Sequence, residues 1–402
     1  MPARARPVPP PHWLNRDSLR IYPWPLLLTW IGIAIWWFSR FNDGRGPGGE
    51  PLGADFIAFW AAGQLALAGD ASAAWDSARL FAAQQLAIAD SSGNYAWFYP
   101  PTALLLVTPL ALLPYAAAWL LLMAGSFVLW LRTLWQELPE RGGWPLLLAF
   151  PAVLANLQYG QNGLLTCAIA CLALTRLEQR PLLAGTLLSL LTLKPQLLMP
   201  LTLLLFASRA WPALLGLAGG SLALALTSLL LWGSEPWLAW PHALDLASRL
   251  TREGALPWLQ MPSLFAGLRL WRLPVELALT LHALLALGAL LLAGHIWRQT
   301  RDHAVRGSAA VIATLLCSPY LFDYDLAWLA LPLIWLTRLG LRHGWQRGER
   351  EVLALTWLQP FFGPLLMQGL HLPSAPPLLL ALLLMTWRHA RLAGMRGTPC
   401  AN

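Results

Sequence analysis

The chain has 402 residues, of which 57% are hydrophobic and only 11% charged. A soluble domain carries about 25% charged residues, and apolar blocks of about 20 residues match a bilayer core, so a soluble enzyme is excluded. The net charge of +8 comes from arginines clustered between those blocks, the pattern of topology signals and not of a nucleic-acid stripe.

The opening is basic and proline-rich, with Arg4, Arg6, Arg16 and Arg20 ahead of an apolar block at 22–38. No small-residue cleavage site follows, so the block predicts an uncleaved first span with the N-terminus in the cytoplasm. Residues 39–100 then form an outer-face segment. Two helices lying in the interface plane are expected in it, at 55–68 and 73–89, because both are too polar to span and too apolar for water. Asp55 heads the first of them. An N-cap would account for an aspartate there. A carboxylate at that depth is also placed to serve as a general base. At the end of the segment Trp97, Phe98 and Tyr99 make an interfacial anchor, and Pro100 and Pro101 turn the chain into the membrane.

Further apolar blocks lie at 102–135, 144–157, 162–176, 181–193, 196–208, 211–232, 274–297, 307–318, 323–338, 351–370 and 376–388. Threaded alternately, they place Arg132 and Arg141, Arg176 and Arg180, Arg209, Arg298 to Arg306, Arg338 to Arg350 and Arg388 to Arg396 all inside. The expected fold is all-α: one integral membrane domain, 1–402, with about 12 spans and both termini cytoplasmic. The outer face then collects 39–100, "NLQYGQNG" at 156–163, "TLKPQ" at 192–196, a second outer-face segment at 233–273, and "CSPYLFDYDLAW" at 317–328.

The chemistry sits on that face. Lys194 is the only lysine in the chain. A snorkelling side chain would explain it, but the positive-inside rule disfavours a cation there, and an ammonium in that position suits a phosphate. In "GQNG" turn chemistry accounts for glycine and asparagine, while Gln161 is less expected. Asp323 and Asp325, with Tyr320 and Tyr324, enter an apolar block, and capping explains at most one carboxylate. His242, Asp245, Arg249, Arg252 and Glu253 are available for acceptor contacts. Cys167, Cys171, Cys317 and Cys400 form no disulfide framework. His282 and His295 lack partners at ligand spacing, so no metal site is expected. No phosphate loop, G-x-S-x-G or H-E-x-x-H occurs.

Five pieces appear in order over residues 53–330: "DFIAFWAAGQLALAGDASAAWD", "FYPPTALLLVTPLALLP", "GQNGLL", "AGTLLSLLTLKPQLLMPLTLL" and "SPYLFDYDLAWL". The set resembles glycosyltransferase family 87, the polyprenyl-phosphate-mannose-dependent mannosyltransferases of the GT-C class. That resemblance implies a GT-C-type bundle in the cytoplasmic (inner) membrane, with its active site facing outside. The implied reaction moves a sugar, mannose, from a polyprenyl-phosphate donor to a hydroxyl of a saccharide or glycolipid acceptor by single inverting displacement. Asp55 matches the base position. The resemblance assigns Lys194, Gln196, Tyr99, Gln161 and Asn162 to the donor, and leaves Tyr320, Asp323, Tyr324 and Asp325 as a substrate pocket. It implies membrane lipid as surroundings, no nucleic acid and no cofactor; with one acid in the expected position, no divalent metal is implied either. Two departures stand out: "SPYLFDYD" holds no histidine, and nothing after about residue 340 takes part. The rival reading is a transporter or flippase for a lipid-linked saccharide, with Lys194, Asp323 and Asp325 along its path. It leaves the two helices behind Asp55 unexplained. A non-catalytic scaffold would make Asp55 a cap and nothing more.

Overall fold

The computed structural model describes residue 12, residues 15–140 and residues 143–396. Arg4, Arg6, Arg141 and Cys400 lie outside the described residues. Among those described, the chain is helical throughout, with no strand and only isolated bridges joining Asn42, Arg45 and Pro51.

Four helices are long and apolar enough to cross a membrane: Asp17–Phe38, Tyr115–Trp135, Trp211–Trp232 and Val275–Gln299. Other apolar helices, among them Gly163–Leu174, Pro195–Ala207 and His303–Cys317, are shorter than the roughly 17 residues of a straight span. The block expected at 102–135 is not one helix. It divides into a turn at Pro101–Ala103, a helix Leu104–Leu110 and the long Tyr115–Trp135 helix. Hydropathy runs unbroken across the division, but Pro109 and Pro114 each remove a backbone donor, and the chain turns between them.

Close helix contacts are made with small residues. Pro181–Ser189 packs against Trp211–Trp232 through Gly185 and Gly216. A Cβ on Gly185 would stand 1.8 Å from the Ala213 carbonyl oxygen, and one on Gly216 2.1 Å from that of Leu182. In hydrocarbon, where burial of apolar side chains gives little drive, such close backbone approach is how helices associate. The main core gathers Cys167, Cys171, Trp328, Trp335 and their neighbours from the later helices, so both cysteines are packing residues.

The segment 39–100 builds a second core of its own, with one correction to expectation. The Phe56–Leu67 helix does not lie along a surface: Phe56, Ile57, Phe59, Ala61 and Ala62 are all buried. The cause is Gly63, where a Cβ would come within 2.5 Å of the Val107 carbonyl, so the Leu104–Leu110 helix can seat directly on it. Gln64 adds a hydrogen bond to the Ala111 carbonyl at 2.5 Å. The second helix is shorter than expected, Ser77–Ala87, because Asp76 caps it by accepting from the Ala78 and Arg79 amides. It leaves Phe81 and Leu86 exposed and is the peripheral one of the pair. In the segment 233–273, the amphipathic Glu235–Glu253 helix packs on the Ala71–Trp75 turn, and Trp240 donates to the Phe98 carbonyl at 3.3 Å. It keeps His242, Asp245, Arg249, Arg252 and Glu253 exposed.

Two groups of polar contacts between distant loops bear on the site and on topology. In the first, hydrogen bonds link Asp55 to Gln161 and Gln161 to Tyr99, and a separate one links Lys194 to Asp325, with the Lys194 charge felt at Asp55. The other joins Arg20 to Glu140, Glu137 to Arg338 and His303, and Arg306 to Glu178. These are the groupings that alternate threading assigns to opposite faces.

Candidate active site

The site is assembled by a turn that sequence alone undervalues. The Pro151–Tyr159 helix ends at Gly160, whose φ of +61° is left-handed. A Cβ there would lie 2.5 Å from both the Gly53 carbonyl oxygen and the Phe56 Cβ. Glycine is therefore needed twice over, for its backbone angle and for space. Three residues on, a Cβ at Gly163 would stand 2.3 Å from the Tyr324 carbonyl oxygen. The two glycines clamp the turn between the start of the Phe56–Leu67 helix and the Asp323–Leu329 turn.

Asn156 fixes the same junction from below. Fully buried, it donates to the Tyr324 carbonyl at 2.9 Å and accepts from the Leu164 amide at 3.2 Å. It stands in the quoted "NLQYGQNG", yet nothing in its spacing marks it as a fastener, since its partner lies 168 residues away.

Asp55 occupies the N-cap position but does not cap. Its backbone is α-helical, and its side chain makes no hydrogen bond to the helix amides. One carboxylate oxygen instead accepts from the Gln161 Nε2 at 2.8 Å. The other end of that amide is held too: the Tyr99 hydroxyl donates to Gln161 Oε1 at 3.0 Å. The amide is thus oriented with its donor towards Asp55. Asn162 Nδ2 reaches the Tyr99 hydroxyl at 3.4 Å, while its buried Oδ1 has no partner among the described residues. Burial pushes the Asp55 carboxyl up to about 6, against the Gln161 hydrogen bond and the Lys194 charge, which both favour the carboxylate. A carboxylate with a pKa just below neutrality is ionised when needed and still basic enough to take a proton.

Lys194 meets the site through Asp325. Its ammonium lies 2.7 Å from Asp325 Oδ1, with both side chains buried. It also stands 4.7 Å over the Tyr324 ring, which stacks on Phe322. Asp325 takes a further contact from the Phe322 amide at 3.4 Å. Such a pair offsets the cost of burying either charge alone.

The remaining expected residues are dispersed. Tyr320 turns to Thr251, 3.1 Å from its hydroxyl, and packs on Phe265. Asp323 lines a separate small cavity with Gln359 and Ser374. Gln196 is half-buried on the first turn of the Pro195–Ala207 helix and makes no hydrogen bond to Asp55 or Lys194. The structure thus joins Asp55, Tyr99, Gln161, Asn162, Lys194, Tyr324 and Asp325, and leaves Tyr320, Asp323 and Gln196 outside that group. Among the described residues, no three His, Cys, Asp or Glu side chains gather as a metal ion would require.

An all-helical, multi-pass membrane protein with a buried polar cluster around one half-buried carboxylate is the class these features define. Residues 97–319, more than half of the chain, match the model of glycosyltransferase family 87, and the chain belongs to that family. It is a membrane glycosyltransferase. The matched span includes Tyr99, Gln161, Asn162, Lys194 and Gln196; Asp55 lies before it, and Tyr320, Asp323, Tyr324 and Asp325 follow it. No curated protein and no solved structure matches the chain.

Proposed function

We propose that the enzyme moves a sugar, mannose in the first instance, from a polyprenyl-phosphate donor to a hydroxyl of a saccharide or glycolipid. In this reading it is a GT-C-type bundle of about 12 spans in the cytoplasmic membrane, with both termini inside and the cluster around Asp55 facing outside. It needs neither a cofactor nor a divalent metal.

The observation that carries the reading is the uncapped Asp55 carboxylate, held by one oriented amide and raised to about 6. As the acceptor oxygen forms its bond to the anomeric carbon, its proton passes to Asp55. The bond from that carbon to the phosphate oxygen breaks on the opposite side of the sugar, and the phosphate leaves with the electron pair. Lys194 offsets the charge that grows on it, the kind of contribution that dominates many rate enhancements. Asp325 holds the ammonium until the donor phosphate takes its place. Gln161 acts as a positioning residue for Asp55, a role different from the donor contact expected of it. The unpartnered Asn162 Oδ1 is free to accept from a substrate hydroxyl.

The test uses purified protein in lipid, radiolabelled polyprenyl-phosphate-mannose and a panel of hydroxyl acceptors, with wild type beside Asp55→Asn. Transfer by wild type alone supports donor class and base together. Equal transfer by both discards Asp55 as base. Translocation of a lipid-linked saccharide without transfer, in sealed vesicles, would put the flippase in place of this reading.

A further inference from the structure

Where the last two helices meet the Asp323–Leu329 turn lies a cavity of about 10 Å³ that the reaction as drawn does not use. Asp323, Gln359 and Ser374 supply its polar lining. Asp323 opens the turn, Gln359 lies in the Glu349–Leu370 helix, and Ser374 precedes the Ala375–Arg396 helix. Two of these side chains are buried and unsatisfied. Gln359 is 1% exposed; its Oε1 accepts from the Ser374 hydroxyl at 3.0 Å, while its Nε2 has no partner among the described residues. Gly363, one turn on, leaves room for that amide, since a Cβ there would collide with Nε2. Asp323 is 5% exposed and makes neither a hydrogen bond nor an ion pair among the described residues. Burying a carboxylate and an amide nitrogen without partners is costly. Two of them lining one cavity point to a group that enters it.

The lining selects that group. A volume of about 10 Å³ admits one water-sized group. The Gln359 nitrogen only donates and the Asp323 carboxylate only accepts, so the occupant must do both, as a hydroxyl does. An ammonium would leave Nε2 unpaired, and a phosphate would meet the Asp323 charge. Tyr159 relates the cavity to Asp55. Its hydroxyl feels the charges of both Asp323 and Asp55, its ring packs on that of Tyr324 at 5.8 Å, and it makes no hydrogen bond among the described residues. The rim of the cavity, Leu259 and Leu372, is exposed. We propose that this cavity anchors the acceptor saccharide. A hydroxyl other than the attacking one donates to Asp323 and accepts from Gln359 Nε2, with the Tyr159 side chain within reach of both this anchor and Asp55. The inference rests on the reading of a saccharide acceptor attacking beside Asp55. A resident water would make the same two bonds, and the experiment separates it from a substrate hydroxyl.

The experiment measures binding of methyl α-D-mannopyranoside and its monodeoxy analogues to full-length protein in lipid nanodiscs, without donor, by saturation-transfer NMR. Wild type is expected to bind the parent sugar, and to bind one of the analogues about ten-fold more weakly, the scale of the hydrogen bonds it lacks. Gln359→Leu is expected to weaken the parent sugar about ten-fold and that analogue no further, because the contact is already gone. In transfer assays the same variant raises the acceptor KM and leaves kcat in place. No binding to wild type, equal binding of the parent and every analogue, or full binding to Gln359→Leu would each overturn the assignment; the second result leaves the cavity to a water. Transfer that survives Asp55→Asn would discard the base and leave the anchor standing, so the two readings fail separately. The analogue series in wild type requires no variant to fold.

Discussion

Replacing Asp55 by asparagine separates what the carboxylate does for the reaction from what it does to the fold. The side chains are isosteric, and the asparagine oxygen still accepts from Gln161 Nε2, which stands 2.8 Å from Asp55 in the wild type. Only the charge is lost. Burial raises this carboxyl from its ordinary 3.8 to about 6, so the folded protein holds the proton more tightly than the unfolded chain does. The group's contribution to stability is then full below about pH 4, and it declines as pH rises through about 6. Two units at 1.36 kcal/mol each set a ceiling of about 3 kcal/mol. Because the side chain is half-buried, solvent screening brings this to about 1–2 kcal/mol. Asp55→Asn is therefore expected to be more stable than wild type by about 1–2 kcal/mol at pH 8 and no different at pH 3.5. Its transfer rate falls by about 10²–10⁴, the scale of general-base catalysis. Thermal unfolding in one detergent across that pH range, together with sugar transfer at pH 7.5, tests both. A stability difference independent of pH would refute the burial argument. Turnover within a few-fold of wild type would remove Asp55 from the chemistry even if the stability result held.

Gln161→Leu removes a hydrogen bond that favours the carboxylate, so the acidic midpoint of kcat/KM is expected to move upward from about 6; a purely structural defect would lower the plateau without moving the midpoint. Lys194→Met leaves Asp325 buried without its partner and is expected to cost about 3–5 kcal/mol of stability, most of it recovered in Lys194→Met/Asp325→Asn. Thermal unfolding of the pair distinguishes this from a pocket that merely tolerates the lysine. Gly160→Ala brings a Cβ to within 2.5 Å of Gly53 and Phe56 at a φ of +61°. It should reduce transfer far more than Gly125→Ala, where a Cβ meets nothing within 4 Å.

What the sequence discloses here depends on the range of the force involved. Apolar blocks and their arginine flanks are local signals, and most of them reappear as helices within a few residues of the expected ends. The blocks at 102–135 and 144–157 divide, because hydropathy averages over Pro109, Pro114 and Pro151, while a proline acts on one turn. Asp55 was visible as an oddity, a charge at the head of an apolar run. Whether it capped the helix or stayed free was decided by Gln161, 106 residues away. Lys194 and Asp325 were each conspicuous for the same reason, and no local pattern told that the two would neutralise each other across 131 residues. The burial of the Phe56–Leu67 helix was likewise hidden, since its composition suits an interface as well as a core. Gly63 decides between them only because Val107 happens to lie opposite. In "GQNG" the two glycines looked like turn chemistry; Gly160 does take the left-handed angle of such a turn, and both glycines serve as spacers as well. Each removes the one atom that would hold the turn away from Gly53 on one side and Tyr324 on the other. A buried site in a bundle of apolar helices is therefore announced in sequence by its charges and small residues. Its geometry belongs to the contacts between distant turns, and those exist only once the helices have packed.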